Sequence, residues 1–467
     1  MRFCLSMLFA SLFVFNCGAV ENVPWKAGVA KVKITPNHFM WMSGYGGRTV
    51  PADGKLADIW AKALVLRDPD GREAVLITAD LIGIGAESTK VIAAALQKNH
   101  GLSRDQFAIA TSHTHTGPAL SDNLVPLHYL RAPAAEAARI ERYTMQLRTL
   151  IVDVVAAAYK TMQPVSLTWG NGNCTVAVNR RNNTEANVPQ LRLAGELKGP
   201  FDHDVPVLAI RDADFKLKTV VFGYACHSTV LSFTQWSGDY PGFAQATLEE
   251  TNPGVTAMFW AGCGADQNPL PRRTVELAKT YGSRLAAAVN SVLQGRMLKV
   301  AGPLQTQYHE IQGRTAVPKT QKELEAILRD GNQYEKPYAQ FLLNQLDNNN
   351  DLPQTYAYPI QTWQLGNSIQ WVFLGGEVVI DYAIKIKQGP QPTSPYRNPA
   401  IWVAGYSNDV MAYIPSLRVL REGGYEGGGS NTYYGFPALW HEEFEAQILT
   451  EVRKQMGGTT TPSSGTK

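Results

Sequence analysis

Two histidines separated by one threonine form the first pattern in this sequence that could carry out chemistry. His113 and His115 stand in the segment Ser-His-Thr-His-Thr-Gly-Pro, directly after the apolar residues 107–111. Residues two apart on an extended chain point to the same side, so both imidazole rings can face one cleft. Neutral imidazole is the commonest metal ligand in proteins, and the Thr-Gly-Pro that follows predicts a tight turn beneath the rings. The pattern favours a metal site, with two structural histidines that cap loop carbonyls as the alternative.

Two further side chains that can bind a metal also follow apolar runs. His227 comes shortly after residues 220–225, and Glu377 follows a Gly-Gly pair that ends the run 370–374. A carboxylate buried at such a place is costly unless a cation or hydrogen-bond donors accompany it. Two or three histidines and one glutamate form a familiar catalytic zinc set with a position left open for water. Such a zinc ion would acidify the water and polarise a carbonyl group.

Motifs of other hydrolases are missing from the sequence. It contains no Gly-x-Ser-x-Gly segment, which a serine hydrolase of the α/β type would need, and no His-Glu-x-x-His segment of a helical zinc protease. It also has no glycine-rich loop followed by lysine that could hold a phosphate. A metal-dependent hydrolase therefore fits the residues better than these classes do.

The elements that would position these residues alternate between strands and helices. Apolar runs that end in polar or glycine-rich segments predict buried strands at residues 74–78, 107–111, 220–225, 256–260, 370–374 and 401–404. Helical periodicity is seen at residues 87–100, 134–160 and 274–293. We predict an α/β fold with a central mixed β-sheet flanked by helices, and a metal site at the carboxyl ends of strands.

The two ends of the chain predict an exported protein with a loose tail. Residues 1–20 combine an N-terminal arginine, an apolar run and small residues, as a secretory signal peptide does. A lipid-modified Cys17 is the less favoured alternative, because the residues before it are a poor lipidation context. We expect one hydrolase domain over residues 21–455, and a disordered tail rich in Gly, Thr and Ser over residues 456–467. The expected location is outside the cytoplasm, either secreted or periplasmic.

Composition narrows the range of partners. The formal net charge of +3 over 467 residues predicts neither nucleic-acid binding nor a strongly acidic partner. The cysteines beyond the signal region are too few for a disulfide framework, although Cys226 and Cys263 could form one pair. The polar, helix-prone residues 319–351 predict a helical insertion or lid, with a solvated connector as the alternative.

Several segments, taken in order, resemble the neutral, non-lysosomal ceramidase family. They are residues 28–36, 44–46, 112–118, 178–180, 225–229, 237–242, 376–377, 407–413 and 425–427. The resemblance extends from about residue 27 to about residue 440 and covers the catalytic domain only. It is more specific than any single motif, because the matches keep their order along nearly the whole mature chain.

The resemblance implies a role for each matching residue. Four match the family's zinc ligands: His113, His227, Glu377 and Tyr413. Three match residues that act on the substrate, namely His115 as a catalytic histidine that is not a ligand, and Arg180 and Tyr425 as groups that hold the substrate or the tetrahedral intermediate. Three aspartates are candidates for support of the ligands, although loop capping is their expected role: Asp80, Asp239 and Asp266.

Two positions depart from the family pattern. Val410 stands where these ceramidases usually have tyrosine, and Ser228 stands where they usually have glycine. The resemblance implies a zinc-dependent amidohydrolase that cleaves the N-acyl amide of ceramide or a related N-acyl lipid. The alternatives are another amide or ester substrate, such as an N-acyl sugar or peptide, and a non-catalytic lipid- or carbohydrate-binding relative. A lipid-like small-molecule substrate, peripheral contact with a membrane surface and no obligate protein partner are expected.

Overall fold

A curled sheet of mostly buried strands carries the histidine segments. The computed structural model describes residues 24–349, 351–389 and 399–457, so the expected signal peptide and nearly all of the expected tail lie outside the described residues. The longer strands of this sheet are β1 (Trp25–Lys33), β2 (Trp60–Arg67), β3 (Glu73–Ala79), β4 (Phe107–Thr111), β5 (Gln163–Asn173), β6 (Asp204–Arg211), β7 (Leu217–Tyr224) and β8 (Thr256–Ala261). Their spatial order is β8-β7-β6-β5-β1-β2-β3-β4, and the short strand Leu298–Lys299 pairs with β5.

The direction of pairing changes along the sheet. The pairs at its two ends, β3 with β4 and β7 with β8, are parallel, and the neighbours between them are antiparallel. The sheet curls so far that β8 also contacts β3 and β4. As a result the segments that follow β4 and β7 meet, and Thr114 and Ser228 form an isolated parallel bridge.

Helices surround the strands. They are α1 (Ala86–His100), α2 (Ala134–Tyr159), α3 (Val188–Ala194), α4 (Asp239–Thr251), α5 (Val275–Gln294), α6 (Gln321–Asp330), α7 (Glu335–Asn349), α8 (Ile380–Gln388), α9 (Leu417–Glu422), α10 (Asn431–Tyr434) and α11 (Phe444–Gln455). α2 packs on β1 and β2, while α5 packs on β5 and β6, so these two long helices cover one side of this sheet. The predicted mixed sheet flanked by helices is confirmed. The three predicted helices agree with α1, α2 and α5 to within one residue at each end, because their apolar stripes keep a strict helical period.

A second sheet lies against the other face of the first. Its strands are β9 (Leu304–Arg314), β10 (Thr355–Leu365), β11 (Ile369–Leu374) and β12 (Ala400–Ala404), in that order. Fully buried tryptophans from this sheet, Trp363, Trp371 and Trp402, share one apolar cluster with main-sheet residues such as Leu64 and Val221. Strands buried on both faces read as continuous apolar runs, and this explains why 370–374 and 401–404 were recognisable in the sequence.

Two short pairings complete the framework of the site. Glu377–Val378 pairs in parallel with Tyr413–Ile414, and Glu377 lies directly opposite Tyr413. Ala177–Asn179 pairs antiparallel with Gln267–Pro269. These two-residue and three-residue strands bring distant loops into register, and their sequences carry no periodic signal.

The polar segment between β9 and β10 holds α6 and α7. The two helices share a small core that contains Leu324, Tyr338 and Leu342. Thr320 caps α6 in a capping box with Glu323, which fixes where this helix begins. The Tyr338 hydroxyl donates to the carbonyl oxygen of Phe436, 3.3 Å away, and so connects the α6–α7 pair to the segment that precedes α11.

The cysteines of the described chain carry no covalent cross-link. Cys226 and Cys263 are free, buried thiols, as is Cys174, so the pairing that the sequence allowed is not formed. Within the described ranges, no helix combines the length and apolar character needed to cross a bilayer.

Candidate metal centre

His113 occupies a sharp turn immediately after β4. Its φ of +58° lies in the left-handed region, which a residue with a side chain adopts only at a cost in free energy. The side chain is fully buried, and its Nδ1 lies 2.6 Å from the carbonyl oxygen of Ile82. Because a carbonyl oxygen can only accept, Nδ1 carries the hydrogen and the Nε2 lone pair points away from the main chain. The turn therefore aims the Nε2 atom of His113 at the centre of the site.

His227 is placed in the same manner after β7. It is 1% exposed, and its Nδ1 lies 2.7 Å from the carbonyl oxygen of Gly264. Burial, followed by the nearby Arg180, lowers the pKa of His227 to about 4, although Glu377 acts in the opposite direction. The ring is therefore neutral near pH 7, with a free lone pair on Nε2.

Ser228 fastens the two histidine segments together. Its buried hydroxyl donates to the carbonyl oxygen of Ser112 at 2.6 Å, and its own carbonyl oxygen accepts from the backbone N–H of His115 at 3.3 Å. The departure from glycine at this position thus adds a bond between the segments and does not face the substrate. Val410 is likewise 1% exposed and lies on the wall of a different cavity.

Glu377 adds a carboxylate oxygen to the two imidazole nitrogens, so that three electron-pair donors lie together. Its Oε2 lies 3.1 Å from Nε2 of His113 and 3.2 Å from Nε2 of His227. Its Oε1 accepts a hydrogen bond from the hydroxyl of Tyr434.

The chemistry of these three atoms fits a divalent cation. With hydrogens on both Nδ1 atoms, two imidazole lone pairs and a carboxylate oxygen face one another without a donor between them. A shared cation removes this repulsion. Zinc bonds of about 2.0–2.2 Å in a tetrahedral site place ligand atoms roughly 3.3 Å apart, close to the distances between Glu377 and the two histidines. The set could therefore hold a metal ion, and the three nitrogens of His113, His115 and His227 lie within 4.8 Å of one another.

His115 lies at the open edge of this cluster. Its Nε2 is 3.2 Å from Nε2 of His113, a distance that suits either a third nitrogen ligand or a base beside the ion. Its Nδ1 is buried without a hydrogen-bond partner in the described residues. Burial, followed by the nearby His113 and His227, lowers the pKa of His115 well below its usual value.

The two rings of the His-Thr-His segment meet for a reason that the sequence did not predict. Strand alternation was expected to bring them to one side, but His113 is in a left-handed turn and not in a strand. The rings of His113 and His115 still converge, with centroids 4.8 Å apart and planes at 81°. Gly44 packs so closely on His115 that an added Cβ would lie 2.7 Å from the nearest atoms of its ring, which explains the glycine at that turn.

Tyr413 and Arg180 stand on the other side of the cluster. The Tyr413 hydroxyl lies 3.4 Å from Nε2 of His227 and accepts from Nη2 of Arg180 at 3.1 Å. Burial, then Glu377, raises the pKa of Tyr413 well above its usual value. Nε of Arg180 donates to Glu426 at 2.7 Å, and Tyr413 and Glu426 keep the pKa of Arg180 well above its usual value against the effect of burial.

Tyr425 forms the outer part of this group. Its ring is 44% exposed and packs edge-on against Tyr413, with centroids 5.2 Å apart. The Arg180 guanidinium lies 5.6 Å from the Tyr425 ring centroid. The structure therefore brings all seven residues that the sequence predicted for the site into one neighbourhood.

Some residues of the site were not predicted from the sequence. Two of them belong to no recognisable motif. Tyr434 donates a hydrogen bond to Glu377, and the centroid of the Tyr406 ring lies 4.3 Å from that of His113. Glu426, which holds Arg180, was part of a matching segment, but nothing in the residues indicated its task. All three act through contacts between distant parts of the chain.

The three aspartates support loops and do not touch the histidines. Asp239 accepts the backbone N–H groups of Val230 and Leu231, which follow His227, at 3.3 and 2.8 Å. Asp266 accepts from the backbone of Ile380 and from the Asn179 side chain. Asp80 accepts from the backbone of Trp60 at 3.0 Å. Main-chain carbonyls, and not carboxylates, orient the two imidazoles.

The centre opens into a cavity of about 660 Å³. Its walls include His115, His227, Arg180, Tyr413 and Tyr425. A small molecule can therefore reach the histidine rings and the arginine at the same time.

Comparisons with known proteins find a matching family model and solved structures of similar fold. A sequence model described as neutral/alkaline non-lysosomal ceramidase, N-terminal, matches residues 25–310. The fold is similar to the crystal structure of neutral ceramidase from Pseudomonas aeruginosa, with a TM-score of 0.73 and 19% identity over 94% of this chain and 74% of that one. It is also similar to a ceramidase complexed with C2, with a TM-score of 0.71 and 17% identity over 95% of this chain and 77% of that one.

Proposed function

Because the chain belongs to the neutral/alkaline non-lysosomal ceramidase family, we propose that it is a zinc-dependent amidohydrolase that cleaves the N-acyl amide of ceramide or a related N-acyl lipid. The observation that carries the proposal is the convergence of two imidazole nitrogens and a carboxylate oxygen at 3.1 to 3.2 Å. They lie beside an arginine and a further histidine in an open cavity.

The ligands of the proposed zinc ion are His113, His227, Glu377 and Tyr413. Once bound, zinc would supply Lewis acidity, which lowers the pKa of water and polarises a carbonyl group. The Ile82 and Gly264 carbonyls hold the two rings in the tautomer that a ligand needs. Tyr434 holds the free oxygen of Glu377, so the carboxylate keeps its orientation while substrate enters.

The residues facing the cavity would act on the amide. Arg180 and the neighbouring Tyr425 stand on the cavity side, where a negative charge developing on the carbonyl oxygen would need donors. His115 would accept a proton from the attacking water and return it to the leaving nitrogen. The C–N bond breaks, the water oxygen remains on the acyl carbon, and the products are a carboxylic acid and an amine.

Measured release of free fatty acid tests the proposal. The purified, zinc-loaded protein is expected to release acid from N-acylsphingosine or a related N-acyl lipid, and a chelator is expected to stop the release. Arg180→Met serves as the site variant and exposed Arg329→Met as its matched control, since Arg329 lies on α6 and is 70% exposed. Activity that is the same in the presence and absence of chelator would contradict the proposal, as would cleavage confined to ester substrates.

We further propose that residues 1–20 direct export and are removed. The charged start, the apolar run and the small residues support this placement. N-terminal sequencing of the protein collected from outside the cytoplasm is expected to begin near residue 21. Retention of Met1 in a cytoplasmic product would contradict export.

A further inference from the structure

The cavity in front of the metal centre is polar. Among the described residues that line its 660 Å³, only Leu270 has an aliphatic side chain. Leu270 is 2% exposed and packs against Val178 and Val188, so it contributes almost no surface to the cavity. Sites that accept alkyl groups are lined mainly by apolar side chains. An alkyl chain is therefore a poor match for this space.

The charges along the wall cancel one another. The arginines on the wall are Arg180, Arg181 and Arg272, and the carboxylates are Glu185, Glu422 and Glu426. Arg272 lies 3.1 Å from Glu185, and Arg181 lies 3.0 Å from Glu422 and 2.7 Å from Glu426. Since each guanidinium already faces a carboxylate, the wall favours neither an anion nor a cation.

An alkyl chain in this space would remove water from those pairs and give them no hydrogen bond in return, which is costly. Hydroxyl groups can replace the water, because each hydroxyl both donates and accepts. Arginines and carboxylates that alternate along one wall offer both kinds of partner. The wall thus matches a neutral group with several hydroxyls.

Tyr425 adds an aromatic surface at the mouth. Its ring is 44% exposed, although the neighbouring Tyr413 is 3% exposed. Such a ring presents an apolar face and a polar hydroxyl. A cyclic polyol has the same mixed character, with C–H groups on its faces and hydroxyls at its edge.

From these observations we infer that the amine part of the substrate is hydroxyl-rich, as in an N-acylated amino sugar, and that it occupies this cavity during cleavage. The inference rests on the proposed amide hydrolysis and, within it, favours an N-acyl amino sugar over ceramide itself. Glu185 and Arg272 would be residues that determine specificity, since they lie on the wall and outside the ligand cluster.

Three amides that share one acyl group test the inference. N-octanoylglucosamine, N-octanoylsphingosine and N-octanoyl-octylamine are given to the zinc-loaded full chain, and octanoate release is measured. We expect kcat/KM for the glucosamine amide to exceed that of the other two at least tenfold, the scale of one hydrogen bond to a charged group. A higher kcat/KM for the sphingosine or octylamine amide would overturn the inference and leave amide hydrolysis standing. Cleavage of none of the three would overturn both.

Variants of residues on the cavity wall provide a second test of the substrate preference. In Arg272→Met, the ratio of kcat/KM for the glucosamine amide to that for the octylamine amide is expected to fall about tenfold, while the zinc content stays the same. Glu185→Gln should lower the ratio in the same direction, and its 39% exposed side chain makes a folding defect easy to avoid. Exposed Arg329→Met is the matched control. An unchanged ratio in both wall variants would overturn the inference.

Discussion

The two sides of the metal centre are built in different ways. On the inner side, His113 and His227 are oriented by main-chain carbonyls of Ile82 and Gly264, in the loops that follow β3 and β8. On the side facing the cavity, Arg180 is held by Glu426 through side chains alone. A ligand set fixed by the backbone is tied to the fold, whereas a wall fixed by side chains on loops can change without refolding the sheet. We therefore expect changes on the inner side to remove the metal and changes on the outer side to alter catalysis or substrate choice.

The largest effect is expected for His227→Ala. Without this nitrogen the zinc ion has too few ligands to stay bound. Zinc content and amide hydrolysis should therefore fall together, and hydrolysis should fall by about a thousandfold or more. Metal analysis and acid release are measured on the same sample. His38→Ala is the matched control, because His38 is exposed and lies outside the site. If His227→Ala kept its zinc, His227 would not be a ligand.

His115→Ala separates the two sides within one motif. If His115 acts as a base on the cavity side, the variant should lose about 10²- to 10⁴-fold in kcat. It should retain most of its zinc. His113→Ala, its neighbour two residues away, should lose zinc and activity together. Equal loss of zinc in both variants would make His115 a ligand and contradict the proposed division of roles.

These roles show what could and could not be predicted from the sequence. The apolar runs before His113 and His227 predicted strands, and the ends of those strands predicted the site. The division between His113 and His115 could not be predicted from spacing, because both rings reach the same point through a left-handed turn at φ +58°. Family resemblance supplied Tyr413, whose place opposite Glu377 depends on a strand pair of only two residues.

Tyr434→Phe is expected to have an intermediate effect on the inner side. Without the hydroxyl, one oxygen of Glu377 loses its donor, and comparable losses behind metal ligands weaken metal binding about 10- to 100-fold. Competition with a chelator of known affinity measures the zinc affinity. The adjacent Tyr433→Phe should change it little, because its ring packs against Tyr334 and Tyr425. An unchanged zinc affinity in Tyr434→Phe would show that the hydrogen bond does not position Glu377.

No sequence pattern indicated the contact between Tyr434 and Glu377. The two residues are 57 positions apart, and the short helix α10 that carries Tyr434 has no motif of its own. Long-range packing of this kind depends on the assembled fold. It was therefore outside what residue types and local spacing could predict.

The smallest effect concerns stability away from the ligands. Burial raises the pKa of Asp409 to about 7, and this carboxyl accepts a hydrogen bond from Tyr356 at 2.6 Å. Between about pH 4 and pH 7, Asp409 keeps its proton in the folded protein but has released it in the unfolded chain. Its contribution to stability is therefore present at low pH and is lost as the pH rises through this window. Asp409→Asn removes this loss, and the free energy of unfolding of the variant relative to wild type should rise by about 1 kcal/mol per pH unit in that window.

Denaturant unfolding at a series of pH values measures the Asp409 effect. Asp214→Asn is the control, since Asp214 is exposed on a loop. A difference between Asp409→Asn and wild type that stays constant from pH 4 to pH 7 would show that Asp409 does not titrate in this range.

Stepwise addition of zinc to the chelated protein, with amide hydrolysis measured at every step, tests the central claim most directly. The account predicts that activity rises in proportion to bound zinc and reaches its plateau at one zinc per chain. Full activity in protein stripped of metal, or a plateau with no relation to one ion per chain, would contradict it.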